Sequence, residues 1–297
     1  MSFSGWLADR LILQPTRHDI HVPERTPSLF PRDESELEIW VHRINSDGQE
    51  KPDLYLLEFP GTASRAEHST DFLEGCWGSL RVEIWAVNPP GYGKSSGTAS
   101  LKKLSAMAEH ALQELRQVAG DIPLIVAGGS LGSVSALYLA ARHPVAGLLV
   151  QNPPALREVI LAQSAWWSFK WATRLIAAQI PSELDSIANA RRATAPAVIV
   201  SAQQDRIVPP HIQHQIIDAY KGPIKTLTMP NADHDTPLKE HDLKQLHALA
   251  MWLYGAATVT TDRETGSCLR DVHVITSRSC IPSSARPWPF FNHKSSK

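Results

Sequence analysis

Short apolar runs alternate with longer amphipathic stretches through most of the chain. The apolar runs are rich in β-branched residues and bounded by turn formers, which predicts strands at 37–44, 53–59, 82–88, 123–128, 145–151, 196–202 and 224–229. Between them, apolar positions recur at helical spacing, which predicts helices at 65–76, 101–119, 131–142, 209–220 and 236–254. Most of the strands are apolar on both faces, as in the centre of a parallel sheet. The pattern predicts an α/β domain over 37–255, with a mainly parallel sheet sandwiched by helices.

Three segments do not follow this alternation. Residues 1–36 are predicted to be an N-terminal extension, Pro-rich after a short amphipathic helix that packs on the domain. Residues 152–195 contain no predicted strand and interrupt the domain as an insertion. Residues 256–297 are rich in Ser, Thr and Arg without periodicity, so we expect a poorly ordered C-terminal tail there.

Composition excludes several classes of function. The chain has 29 Lys and Arg against 30 Asp and Glu, which gives no electrostatic reason to expect a nucleic-acid partner. Its three cysteines lie far apart without metal-ligand spacing, so no metal site or disulfide framework is predicted. Asp9 and Arg10 interrupt the start of the chain where a signal peptide needs an apolar run, and no apolar stretch is long enough to span a membrane. We therefore expect a cytoplasmic protein without membrane association.

One Gly-rich turn carries candidate chemistry. The sequence "GGSLG" (128–132) lies between a predicted strand and a predicted helix, and it matches the Gly-x-Ser-x-Gly pattern. Small residues around Ser130 permit a sharp turn that exposes its hydroxyl oxygen, and the N-terminus of the following helix faces the site. The alternative is that the glycines only allow the helix to pack closely on the sheet.

A serine nucleophile needs a base and a group that orients the base. Asp205 follows the predicted strand 196–202, and His234 follows the strand 224–229. Both loops lie at the carboxyl edge of a parallel sheet, where α/β proteins keep their sites, and the order Ser, Asp, His is that of a hydrolase triad. Alone, Asp205 is equally typical of a turn or helix cap, and a loop histidine of a solvated surface. Asp233 and Asp235 flank the histidine too closely to orient its ring, so we expect them on the surface.

Together with these motifs, "NPPGYGKSSG" (88–97) resembles a marker loop of the α/β-hydrolase superfamily, in its serine-hydrolase branch of esterases and serine aminopeptidase-like enzymes. "DRIVP", which begins at Asp205, and the Asp233–His234 pair are similar to the acid and histidine loops of that branch. The resemblance covers about residues 37–255. It implies the α/β-hydrolase fold and a catalytic triad of Ser130, Asp205 and His234.

The resemblance also implies an oxyanion hole and a cap. The oxyanion donors would be the backbone N–H groups of Leu131 and Thr62, and Pro60 stands where the family often has histidine. The insertion 152–195 would form a short helical cap over the site. Its aromatic side chains would either line an acyl pocket or bury the cap against the domain, and those assigned to substrate binding are Trp166, Trp167 and Trp171. Only two basic residues accompany them, which argues against a membrane-surface role for the cap.

The sequence therefore predicts a serine hydrolase that cleaves a small-molecule ester or thioester through an acyl-enzyme, without a metal or organic cofactor. Two alternatives remain open. The same triad would serve an amidase or aminopeptidase-like enzyme, since nothing in the sequence separates the leaving groups. The second alternative is a catalytically silent α/β-hydrolase fold used for binding, although an intact set of Ser, Asp and His argues against it.

Overall fold

In a computed structural model of the chain, the structure describes residues 3–22, 27–32, 35–46, 50–69, 74–163 and 170–265. These residues form a sheet of eight strands in the order β1-β2-β4-β3-β5-β6-β7-β8. The strands are β1 (Pro27–Arg32), β2 (Ser35–Ile44), β3 (Leu54–Phe59), β4 (Val82–Val87), β5 (Leu124–Gly129), β6 (Gly147–Gln151), β7 (Ala197–Ala202) and β8 (Ile224–Met229). Strand β2 is antiparallel to both β1 and β4, and every later pair is parallel. The mainly parallel sheet predicted from the sequence is confirmed.

Helices cover both faces of the sheet. They are α1 (Phe3–Leu13), α2 (Ala66–Ser69), α3 (Leu101–Ala119), α4 (Leu131–Ala140), α5 (Leu156–Gln163), α6 (Lys170–Ala177), α7 (Ser186–Ala190), α8 (Pro210–Ala219) and α9 (Glu240–Thr265). Successive residues of β3 alternate between two core clusters: Leu56 joins the cluster that includes α9, and Leu57 joins the one that includes α3, α4 and α8. This alternation follows from the pleat of a strand and explains why both faces of the central strands are apolar.

The predicted strands lie within two residues of the observed ones, but two local predictions are wrong. The helix predicted over 65–76 is a short helix α2 and a separate 3₁₀ turn at Glu74–Cys76. Strand β1 was not predicted, because Pro27 and Pro31 argue against a strand. It pairs with β2 at the edge of the sheet, where a missing N–H group is tolerated.

The two other irregular segments are described in part. Within 152–195 the described residues form α5, α6 and α7 with a 3₁₀ turn at Ser182–Leu184, and no strand is found among them. Helix α9 continues to Thr265, past the predicted domain end at 255. The predicted tail beyond it, 266–297, lies outside the described residues.

Candidate active site

Ser130 lies on the sharp turn between β5 and α4. Its backbone has φ 47° and ψ −120°, a conformation that a residue with a side chain rarely adopts. Three hydrogen bonds hold the turn: Ser130 N–H donates to the Gln151 carbonyl at 2.8 Å, and the Ser130 carbonyl accepts from the N–H and hydroxyl of Ser133 at 3.0 and 2.5 Å. Because the surrounding bonds compensate for the strained backbone, the hydroxyl stays at the carboxyl edge of the sheet.

The glycines beside Ser130 allow very close packing. A Cβ atom on Gly132 would lie 1.9 Å from the carbonyl oxygen of Phe59, and one on Gly128 would lie 2.5 Å from the carbonyl carbon of Gly132. Real atoms do not approach so closely, so β3, β5 and α4 meet only because these residues lack side chains. Gly129 differs, since a Cβ there would meet nothing within 4 Å. The glycines therefore serve close packing as well as the turn.

The structure brings the three predicted side chains together. His234 Nε2 lies 3.0 Å from Ser130 Oγ, and His234 Nδ1 lies 2.7 Å from Asp205 Oδ2. The Asp205 side chain is fully buried, and that of His234 is only 10% exposed. Asp205 Oδ1 accepts the N–H groups of Ile207 and Val208 at 2.9 and 2.7 Å, so the buried carboxylate is well solvated by donors. With Nδ1–H donated to Asp205, Nε2 is left to accept the serine proton.

Gln213 on α8 supports this arrangement and was missed by the sequence analysis. Its side chain is fully buried, and Nε2 donates both to Asp205 Oδ2 at 3.1 Å and to the Val208 carbonyl at 2.8 Å. A helical Gln eight residues after an acid gives no signal in a single sequence, because the fold of the loop alone brings the two together. Gln213 thus fixes both the carboxylate and the loop that carries it.

Asn152 directly follows β6, and nothing in the sequence marks it as part of the site. In the structure its Oδ1 accepts the Ala202 N–H at 2.8 Å, and its Nδ2 donates to the His234 carbonyl at 3.1 Å. Its backbone has φ 47°, a left-handed conformation that Asn tolerates better than most residues. One buried amide therefore ties the end of β7 to the histidine loop.

Asp233 is half-exposed, as expected, yet it organises the histidine loop. Its Oδ1 accepts the N–H groups of His234 at 2.8 Å and of Arg206 at 3.1 Å. Partial burial acts to raise the pKa of Asp233, but these hydrogen bonds and the Arg206 charge outweigh it and leave the pKa below its ordinary value. The acid loop and the histidine loop are thus connected through Asp233.

The loop after β3 lies against the serine turn. A Cβ on Gly61 would be 3.2 Å from the Gly129 carbonyl oxygen and 3.4 Å from Ser130 Cβ. The N–H groups of Ala63 and Ser64 donate to the carbonyls of Leu13 and Gly61, each at 3.2 Å. The predicted donor Thr62 therefore lies in a turn that is fixed by its neighbours and positioned beside Ser130.

The marker sequence 88–97 is held by a buried polar network. Glu38 Oε2 accepts Asn88 Nδ2 at 2.7 Å and Lys94 N–H at 2.8 Å. Asn88 Nδ2 also donates to Glu67 at 2.9 Å, and Glu67 pairs with the buried Arg65. These hydrogen bonds therefore hold the loop 88–97 against β2 and α2.

The predicted cap residues are only partly described. Trp171 lies on α6 and is 65% exposed, whereas Trp166 and Trp167 lie outside the described residues. Their role in substrate binding stays a prediction.

A cavity of about 10 Å³, room for about one water molecule, lies next to Gly61 and Leu131. Within the described ranges, no group of three or more His, Cys, Asp or Glu side chains is arranged to hold a metal ion.

Comparison with known proteins agrees with the fold. The family model described as the alpha/beta hydrolase fold matches residues 71–179. The chain has the α/β-hydrolase fold. Its structure is similar to the esterase PF2001 of Pyrococcus furiosus, with a TM-score of 0.61 at 13% identity over 83% of this chain and 98% of the other.

Two of the curated relatives match parts of this chain as follows. An uncharacterized protein of Mycobacterium tuberculosis is 29% identical over 161 residues, 53% of this chain and 55% of the relative. Alpha/beta hydrolase domain-containing protein 17B of Homo sapiens is 25% identical over 182 residues, 61% of this chain and 60% of the relative. The chain spans less than two thirds of the length of either relative.

Proposed function

We propose that this α/β-hydrolase-fold protein is a serine hydrolase that cleaves esters or thioesters of small to medium apolar acyl groups. The observation that carries the proposal is the pair of contacts made by His234, 3.0 Å from Ser130 Oγ and 2.7 Å from Asp205 Oδ2. The two lengths are those of working hydrogen bonds, so no loop movement is needed to assemble a nucleophile, a base and an orienting acid.

In the proposed reaction, Ser130 Oγ attacks the acyl carbon while His234 Nε2 takes its proton. Asp205 holds the imidazole in the required tautomer and stabilises the imidazolium that forms. The protonated His234 then gives the proton to the departing alcohol or thiol as the bond to the acyl carbon breaks. Water, deprotonated by the same histidine, hydrolyses the acyl-enzyme and regenerates the serine.

Backbone N–H groups would stabilise the negative oxygen that develops on the substrate. Leu131 begins α4, so its N–H has no partner within the helix and points along the positive end of the helix dipole. Thr62 would supply the second donor, and its support is that it directly follows Gly61, which lies against the serine turn. Preorganised donors of this kind account for a large share of catalysis in acyl transfer.

A fluorophosphonate probe tests the nucleophile directly. The wild-type protein is expected to become labelled, and Ser130→Ala is expected to lose all labelling. Ser135→Ala is a matched control on the same helix, outside the hydrogen bonds of the triad, and is expected to keep labelling. Labelling of the Ser130→Ala protein would assign the reactive group elsewhere, and an inert wild-type protein would favour a silent binding role.

The leaving group requires a second measurement. A p-nitrophenyl ester series of increasing acyl length, run beside aminoacyl amides, compares kcat/KM for the two bond types. We expect faster turnover of the esters than of the amides, since the amine of an amide needs stronger protonation as it leaves. Among the esters, we expect a preference for short and medium acyl chains. Faster turnover of the amides would identify an amidase or aminopeptidase-like enzyme instead.

A further inference from the structure

Exposed apolar side chains are concentrated on three helices. Among the described residues, six of the nine most exposed large apolar side chains lie on α1, α5 and α6, and α6 contacts both of the others. Phe3 is 76% exposed and Trp171 65% exposed. We call this set the apolar surface, and its members are Phe3, Trp6, Leu11, Leu161, Trp171 and Leu175.

Helix α1 has apolar side chains on both of its sides. Ala8 and Leu13 are buried in the core, whereas Trp6 and Leu11 are each half-exposed. The rings of Phe3 and Trp6 stack on the exposed side, with centroids 5.9 Å apart. A surface helix normally exposes its polar side, so large apolar side chains on the exposed sides of contacting helices mark an interaction site.

The exposed charges on α1 and α6 are positive, and α5 adds one charge of each sign, Arg157 and Glu158. Arg10 on α1 and Arg174 on α6 are both exposed. Helix α6 contains no acidic residue, and the one acid of α1, Asp9, accepts the N–H of Leu101 at 2.8 Å. Tryptophan and phenylalanine beside arginine are typical of helices that lie in the headgroup region of a bilayer, where the rings enter the apolar boundary and the cations meet lipid phosphates.

The apolar surface adjoins the candidate active site through α1. The carbonyl of Leu13, at the end of this helix, accepts the N–H of Ala63 at 3.2 Å and the hydroxyl of Tyr92. Ala63 follows Thr62 in the loop that faces Ser130. A bilayer in contact with α1 would therefore lie on a helix that is bonded directly to the loop beside Ser130.

We propose that the apolar surface docks the protein on an anionic lipid–water interface. Within the described part of the chain, no helix is both long and apolar enough to cross a bilayer. The contact is thus with the lipid surface. The sequence argues against membrane association because the cap has few basic residues. It does not reveal that α1, with its own exposed aromatic side chains and Arg10, contacts the cap helix α6. The test measures binding to lipid vesicles and not activity, so its outcome is independent of the proposed catalytic function.

Co-sedimentation of the full chain with lipid vesicles tests the proposal. Vesicles of phosphatidylcholine are compared with vesicles that also contain phosphatidylserine. The wild-type protein is expected to bind the anionic vesicles more strongly, with the difference shrinking at high salt. Trp6→Ser/Trp171→Ser is expected to lower the partition coefficient by about tenfold or more, because two large rings no longer enter the interface. Val118→Ser removes an equally exposed side chain from α3 and is expected to change nothing.

A second variant separates charge from apolar contact. Arg10→Glu/Arg174→Glu is expected to abolish the preference for anionic vesicles while leaving binding to phosphatidylcholine, and thermal melting of each variant checks folding. Wild-type protein that stays in the supernatant with both vesicle types would overturn the proposal. So would a folded double tryptophan variant that binds as the wild type does. A concentration-dependent dimer that this variant dissociates would identify a second copy as the occupant.

Discussion

Gln213 Nε2 donates to Asp205 Oδ2 at 3.1 Å, and this is the same oxygen that faces His234 Nδ1 at 2.7 Å. The carboxylate oxygen therefore divides its negative charge between a neutral amide and the imidazole. Gln213 is fully buried and the His234 side chain is only 10% exposed, so solvent screens the interaction little. Gln213 makes no hydrogen bond to Ser130, and it holds the carboxylate oxygen that faces the histidine.

Replacing Gln213 by leucine is expected to lower the rate of fluorophosphonate labelling. Leucine removes the donor that holds both Asp205 Oδ2 and the Val208 carbonyl, so Asp205 is no longer fixed in position against His234. We expect the labelling rate to fall by about tenfold, because the base is then less well oriented toward Ser130. The rate of labelling is measured beside thermal melting of the same variant.

Thermal melting of Gln213→Leu separates a loss of positioning from a loss of folding. Gln204→Leu provides the control, because Gln204 is exposed and its side chain bonds to Asn231 in the same region, at 3.4 Å. An unchanged labelling rate for a folded Gln213→Leu protein would contradict the positioning role.

Asn152 offers a way to separate backbone strain from side-chain bonding. Asn152→Ala loses both the Ala202 and the His234 bonds and also strains the left-handed backbone, for a total of about 2 kcal/mol in the free energy of unfolding. Asn152→Gly loses the same bonds but relaxes the strain. We expect the glycine variant to recover part of the stability but not the labelling rate. Denaturant unfolding and probe kinetics on both variants check this, and full recovery by glycine would show that the amide bonds do not position His234.

The two glycines of the serine turn are expected to respond oppositely to the same change. Gly132→Ala forces a methyl group against the Phe59 carbonyl, so we expect a loss of about 3 kcal/mol or failure to fold. Gly129→Ala has open space at its Cβ position and is expected to change stability little. Thermal melting of the pair is the measurement. Equal stability of the two variants would mean that α4 does not pack on β3 as closely as described.

The ion pair between Asp53 and Arg81 predicts a pH-dependent contribution to stability. Hydrogen bonds from the Arg81 side chain, at 2.6 and 3.1 Å, are the main cause that lowers the pKa of Asp53. A carboxyl with a lowered pKa stabilises the fold above its ordinary pKa, and this contribution is lost as the pH falls through the lowered value. Asp53→Asn is expected to cost about 1 kcal/mol at pH 7.

The difference between the Asp53→Asn protein and the wild type is expected to shrink as the pH falls below about 4, the ordinary pKa of an aspartate, because the unfolded wild-type chain then takes up a proton that the folded carboxylate does not yet bind. Urea unfolding at a series of pH values measures it. Asp121→Asn changes an exposed carboxyl near β5 and serves as the control. A difference that stays constant down to pH 2 would contradict the ion-pair explanation.

Local pattern was enough to predict most of the sheet. Strands such as 54–59 and 197–202 are apolar on both faces and end in turn residues, so each can be recognised from its own residues. Strand β1 was not predicted because its two prolines are acceptable only in an edge strand, and edge position is a property of the whole sheet.

The sequence by itself determined the order Ser130, Asp205 and His234, each in the loop after its own strand, because parallel strands present their carboxyl ends at one edge. Only the tertiary structure decided that these three side chains meet at 3.0 and 2.7 Å. It also decided that Gln213 and Asn152 support them, since neither residue has a local signature. Hydrogen bonds between distant segments depend on how α8 and the loops pack, and a single sequence carries that information only through the fold it produces.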